Sequence, residues 1–126
     1  MITAKVNENT HIATLLPSGA LTPTDFEIIR DVIDPYLEKY GKLNGIIIQT
    51  REFPGWKSFD GFLSHMKFIE NHHKRVERIA VVSDSPLAAL LKSLGRHFVA
   101  AEVRRFDFDN LNDAKNWILE GANTDN

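Results

Sequence analysis

The chain has 126 residues, a formal net charge of −2 and a hydrophobic share of 43%. That suits one domain with its own core and leaves no basic excess of the kind that phosphate neutralisation requires. There is no cysteine, so disulfides, thiolate metal sites and cysteine nucleophiles are excluded. The opening Met1-Ile2-Thr3-Ala4-Lys5 lacks the basic-then-apolar pattern of a signal peptide, and no apolar run approaches the roughly 20 residues that cross a bilayer. The expectation is a cytoplasmic protein with no nucleic-acid partner and no membrane span.

Residues 2–6 and 11–16 read as strands, and the polar Asn7-Glu8-Asn9-Thr10 between them has turn chemistry, so they form a hairpin. Thr22-Pro23-Thr24-Asp25 reads as a helix start: a capping threonine, a proline at the first helical position and an acid near the positive end of the dipole. Phe26, Ile29, Ile33, Leu37 and Tyr40 follow at helical spacing. Pro35 interrupts this pattern and predicts a kink, or a second start capped by Asp34. Gly41 ends the helix.

Residues 43–50 contain Gly45-Ile46-Ile47-Ile48, a continuous β-branched run that suits a strand covered on both faces. A loop through Pro54, Gly55 and Trp56 leads to a helix from Ser58 to about residue 73, with Phe59, Phe62, Leu63, Met66 and Ile69 on one face. Residues 76–82 form another buried strand. Ser83-Asp84-Ser85-Pro86 repeats the cap-then-proline signal before a helix ending at Gly95. Residues 99–106 give the last strand, and Asn110 or Asn112 caps a final helix through Leu111, Ala114, Trp117 and Ile118. The order β-β-α-β-α-β-α-β-α implies an α/β domain with a mixed, mostly parallel five-stranded sheet. The domain is expected over residues 1–121, with a disordered tail over 122–126.

Catalytic patterns are missing. The glycines are scattered, with neither a Walker loop nor a dinucleotide fingerprint, and there is no nucleophile elbow around a serine. His65 and His72 lie two helical turns apart, and His72 and His73 are adjacent; neither spacing suits a shared metal. No metal, cofactor or catalytic residue is therefore expected. The basic residues Arg75, Arg78, Arg96, Arg104 and Arg105 could dock an acidic partner if they converged in space.

The most suggestive segment is Phe53-Pro54-Gly55-Trp56, at a strand's carboxyl end, where ligands bind in this class. Phe53 and Trp56 with Ser58, Phe59 and Phe62 make the candidate ligand-binding set, although Phe53 and Trp56 in their plainer role simply lid the core.

Taken together, Leu21-Thr22-Pro23-Thr24-Asp25-Phe26, the strand from Asn44, Trp56-Lys57-Ser58-Phe59-Asp60-Gly61-Phe62, residues 74–84 and Asp113-Ala114-Lys115-Asn116-Trp117-Ile118 resemble the SpoIIAA-like group, relatives of the STAS domains of anti-anti-sigma factors. The resemblance implies a STAS-type fold, akin to Sec14/CRAL-TRIO-type domains, and a non-catalytic regulatory or protein-interaction role. An apolar or lipid-like ligand is the alternative, and a homodimer is a further expectation. It also implies a phosphorylation site at Ser58, although Lys57 stands where STAS antagonists carry an acid and the glycine is displaced by one residue. The plainer role of Ser58 is a helix N-cap.

Overall fold

The computed structural model describes residues 1–19, 22–51, 76–84 and 102–124. Five strands, β1 (Ile2–Asn7), β2 (Ile12–Pro17), β3 (Leu43–Gln49), β4 (Val76–Val82) and β5 (Glu102–Phe106), form one sheet in the order β1-β2-β3-β4-β5. β1 runs antiparallel to β2, and every other neighbouring pair is parallel. The sheet expected from the sequence is therefore present. The helices expected near 58–73 and 87–94 fall outside the described residues. So do Phe53, Trp56, Ser58, Phe59 and Phe62.

Two helices pack on opposite faces: α1 (Pro23–Tyr40) and α2 (Leu111–Thr124). Successive strand residues point to opposite faces, and that alternation divides the core into two layers. Ile46 and Ile48 join Leu15, Ile79, Val81, Ile29, Ile33 and Leu37 in the α1 layer. Ile47 joins Ala80, Val82, Phe106, Ala114 and Ile118 in the α2 layer. A β-branched residue at every position of this run is what a strand buried on both faces needs.

The start of α1 is fastened at Asp25, which is only 5% exposed. Its carboxylate accepts the Thr22 backbone N–H at 2.7 Å and the Thr22 hydroxyl at 3.2 Å, and the Met1 amine lies 3.2 Å from the same oxygen. The Thr22 N–H bond holds the carboxyl below the usual carboxylate range against the opposing pull of burial, and the amine adds to the lowering. A depressed folded-state value stabilises fully above the unfolded carboxylate pKa of about 4 and is lost as pH falls through the folded value. Asp25→Ala should therefore lower stability by about 1 kcal/mol at neutral pH. In urea titrations the gap between variant and wild type should narrow as the pH is taken below about 4.

Pro35 does not restart the helix. α1 continues through it to Tyr40, because Ile33, Tyr36 and Leu37 around the proline are all buried and their packing offsets the one backbone bond it removes. Gly41 then takes φ 80° and donates its N–H to the Leu37 carbonyl at 2.8 Å, the left-handed stop expected of it. α2 runs through Gly121 to Thr124. Glycine stands there because a Cβ would meet Arg78 Nε at 2.5 Å. That neighbour belongs to a flexible side chain, so Gly121→Ala should cost no more than about 1–2 kcal/mol in a thermal melt.

The hairpin turn lies one residue later than its sequence suggests, over residues 8–11. Asn7 Oδ1 accepts the N–H groups of Asn9 and Thr10, and the Asn7 carbonyl accepts the N–H of His11. His11 takes the left-handed φ of 55° rather than opening the strand. Asn44 pins the turn to β3: its backbone N–H donates to the His11 carbonyl at 2.8 Å and its Nδ2 to the Thr10 carbonyl at 2.7 Å. His11 Nδ1 is hydrogen-bonded to the Tyr36 hydroxyl, whose pKa is raised by burial, with Tyr40 and Glu8 adding to the shift.

Candidate docking edge

The parallel strands β2 to β5 all point their carboxyl ends the same way, so the chain leaves β3 and β4 along one rim of the sheet. The first described residues past those ends are Thr50 and Arg51 after β3, Ser83 and Asp84 after β4, and Asp107 and Phe108 after β5. Segment 52–75, with the sequence-predicted ligand residues, begins at this rim.

Each exit is tied to the next. The Thr50 N–H donates to the Val82 carbonyl at 3.1 Å, and the Ser83 N–H donates to the Phe106 carbonyl at 3.0 Å. These bonds carry the sheet ladder one residue past β3 and β4. Ser83 is wholly buried, and its hydroxyl lies 3.4 Å from the Arg51 carbonyl, to which it donates. Asp84 accepts the Phe108 N–H at 3.0 Å. The Arg51 guanidinium lies 4.2 Å from the centre of the Phe108 ring, a cation–π distance. Arg105 and Asp107 pair at 3.3 Å.

These contacts brace the rim. Among the described residues, the Ser83 hydroxyl and the Asp84 carboxylate each bond a backbone group at a neighbouring strand exit. Among the described residues no group of three or more His, Asp or Glu could hold a metal ion, and none of the described helices is long and apolar enough to cross a membrane. The strand order also runs from β1 to β5 without reversing, so the described sheet lacks the switch-point crevice in which open α/β sheets bind ligands.

The described arginines do not all share one face. Arg78 lies inside the α2 layer, where it donates to the Trp117 carbonyl at 2.5 Å, sits 4.8 Å from the Trp117 ring centre and pairs with Glu102 at 3.6 Å. Arg104 and Arg105 are consecutive on β5, so they point to opposite faces. Arg75 and Arg96 fall outside the described residues.

With this sheet in view, the comparison with known families is decisive. The SpoIIAA-like family model matches residues 12–119. The chain belongs to the SpoIIAA-like family. No curated protein and no solved structure matched it. The matched stretch of this SpoIIAA-like domain begins at β2 and ends within α2, so it takes in the whole parallel part of the sheet and both rim segments.

Some of the rim was hidden in the sequence. Ser83-Asp84 reads as a helix cap, yet Asp84 also holds the exit of β5. The Arg51–Phe108 stack joins residues 57 positions apart, and no spacing rule connects them. Asn44 looks like an ordinary residue opening a strand, although its side chain anchors the hairpin.

Proposed function

We propose that this SpoIIAA-like domain is a non-catalytic regulatory module that docks on a protein partner through the segment leaving the carboxyl end of β3. Support comes chiefly from the fastened rim. Thr50, Arg51, Ser83, Asp84 and Phe108 brace the point where that segment departs. A braced exit limits the conformational freedom a contact segment loses on binding. Family membership over residues 12–119 supports the same reading.

In this proposal Phe53, Trp56, Phe59 and Phe62 supply the apolar anchors, since aromatic residues dominate interface energetics. Ser58 stands among them, and phosphate on it would put about two negative charges into the contact and weaken it. The module works in the cytoplasm. Affinity capture from the source cell should return one partner with the wild-type chain and lose it with Trp56→Ala or Ser58→Glu. Capture of no specific partner, or equal capture by all three baits, would overturn the proposal. The alternative, an apolar or amphipathic ligand held by the same aromatics, is separated by native mass spectrometry, where it requires a retained small molecule. Sedimentation of the purified chain tests the remaining possibility that the partner is a second copy.

A further inference from the structure

At the opposite end of the sheet from the docking rim lies a groove of about 370 Å³, lined by Lys5, Val6, Asn7, Thr10, Ile12, Thr14 and Lys115. Its origin is topological. α2 covers β3, β4 and β5 on its face of the sheet, and the hairpin of β1 and β2 extends past the helix. Lys5 and Thr14 face one another across the β1–β2 ladder, as do Asn7 and Ile12. All four therefore belong to the part of the α2 face that extends past this helix. Lys115, on α2, closes the side.

The lining has a definite chemical character. Two ammonium groups come from different elements, and among the described residues no carboxylate lines the groove. Neither lysine is paired with an acid among the described residues. Asn7, Thr10 and Thr14 add short polar groups that can donate hydrogen bonds, and buried Ile12 gives an apolar floor. In a chain of net charge −2, two cations without a described acidic partner beside a concave, partly apolar wall mark a place where negative charge is favoured. The volume is at the small end of the range for organic ligands, roughly 300–1,000 Å³.

We propose that this groove binds a small organic anion, a phosphate ester or carboxylate with a compact apolar body, between Lys5 and Lys115. The charged head sits between the two ammonium groups, with Thr14 and Asn7 donating to its oxygens, and the apolar body rests on Ile12. The site shares no residue with the docking rim, so each proposal stands or falls without the other.

The test is an amide chemical-shift titration of the full chain with phenyl phosphate, inorganic phosphate and neutral benzyl alcohol. Phenyl phosphate should give saturable shifts centred on Lys5, Asn7, Thr14 and Lys115, and inorganic phosphate weaker shifts at the same amides. Benzyl alcohol should give none. The double variant Lys5→Gln/Lys115→Gln should bind phenyl phosphate at least about tenfold more weakly, since charged hydrogen-bond partners contribute more than one such factor. Both lysines are exposed, so the variant should keep the wild-type melting temperature, and Thr14→Val supplies a second, uncharged probe of the same contact. Shifts that are absent, equal with benzyl alcohol or unchanged in the double variant would overturn the proposal.

Discussion

Gly45→Val is expected to destabilise the domain by about 3 kcal/mol or more, the upper end of what overpacking a tight core costs. A Cβ at this position would stand 2.6 Å from Ile118 Cγ2, 2.8 Å from Ile118 Cδ1 and 2.9 Å from the Arg78 carbonyl oxygen. The first two contacts belong to a side chain that can shift, but the third belongs to the backbone of β4 and cannot move without breaking the β3–β4 pairing. Shortening the helix residue should therefore relieve only part of the cost. In an Ile118→Val background, Gly45→Ala should cost less than in the wild type, yet still more than zero. A double-mutant cycle from urea midpoints measures that coupling. Full relief would mean that Arg78 does not crowd the site.

Ile46→Ala and Ile47→Ala are each expected to cost about 2–5 kcal/mol, as large-to-small changes in a sealed core do. Against a total stability of roughly 5–15 kcal/mol, either loss is a large fraction. The two should differ in where they are felt. Ile46 packs with Ile33 and Leu37 of α1, and Ile47 packs with Ala114 and Ile118 of α2. Native-state chemical-shift changes should therefore concentrate on α1 for the first variant and on α2 for the second. Changes that fall on the same helix for both would contradict the division of the core into two layers.

That division was readable from the sequence, because its signals are local. Ile46-Ile47-Ile48 and Ile79-Ala80-Val81-Val82 announce strands covered on both sides, and they pair in register, Ile46 with Ile79 and Ile48 with Val81. Thr22-Pro23 and Gly41 bound α1 as their backbone preferences require. What could not be read depends on distant partners. The glycine at position 121 of α2 is explained by Arg78, 43 positions earlier, which a Cβ there would meet. Pro35 carries the signature of a break, yet the buried face of α1 carries the helix through. The lysine groove was equally invisible, since Lys5 and Lys115 come to line one groove only once α2 packs on the sheet.

The proposed docking segment is marked in the sequence by its chemistry alone. The aromatics of residues 53–62 suggest a contact surface by composition. Their point of departure is set by bonds among three chain segments, Thr50–Val82, Ser83–Phe106 and Asp84–Phe108.

Site-specific photo-crosslinking tests the docking role most directly. A photoreactive residue placed at position 56, in the proposed contact segment, is compared in the source cell with one at Asp31, an exposed position on α1. The account predicts one dominant cross-linked protein from position 56 and none from position 31. No cross-link from position 56, or the same products from both positions, would contradict it.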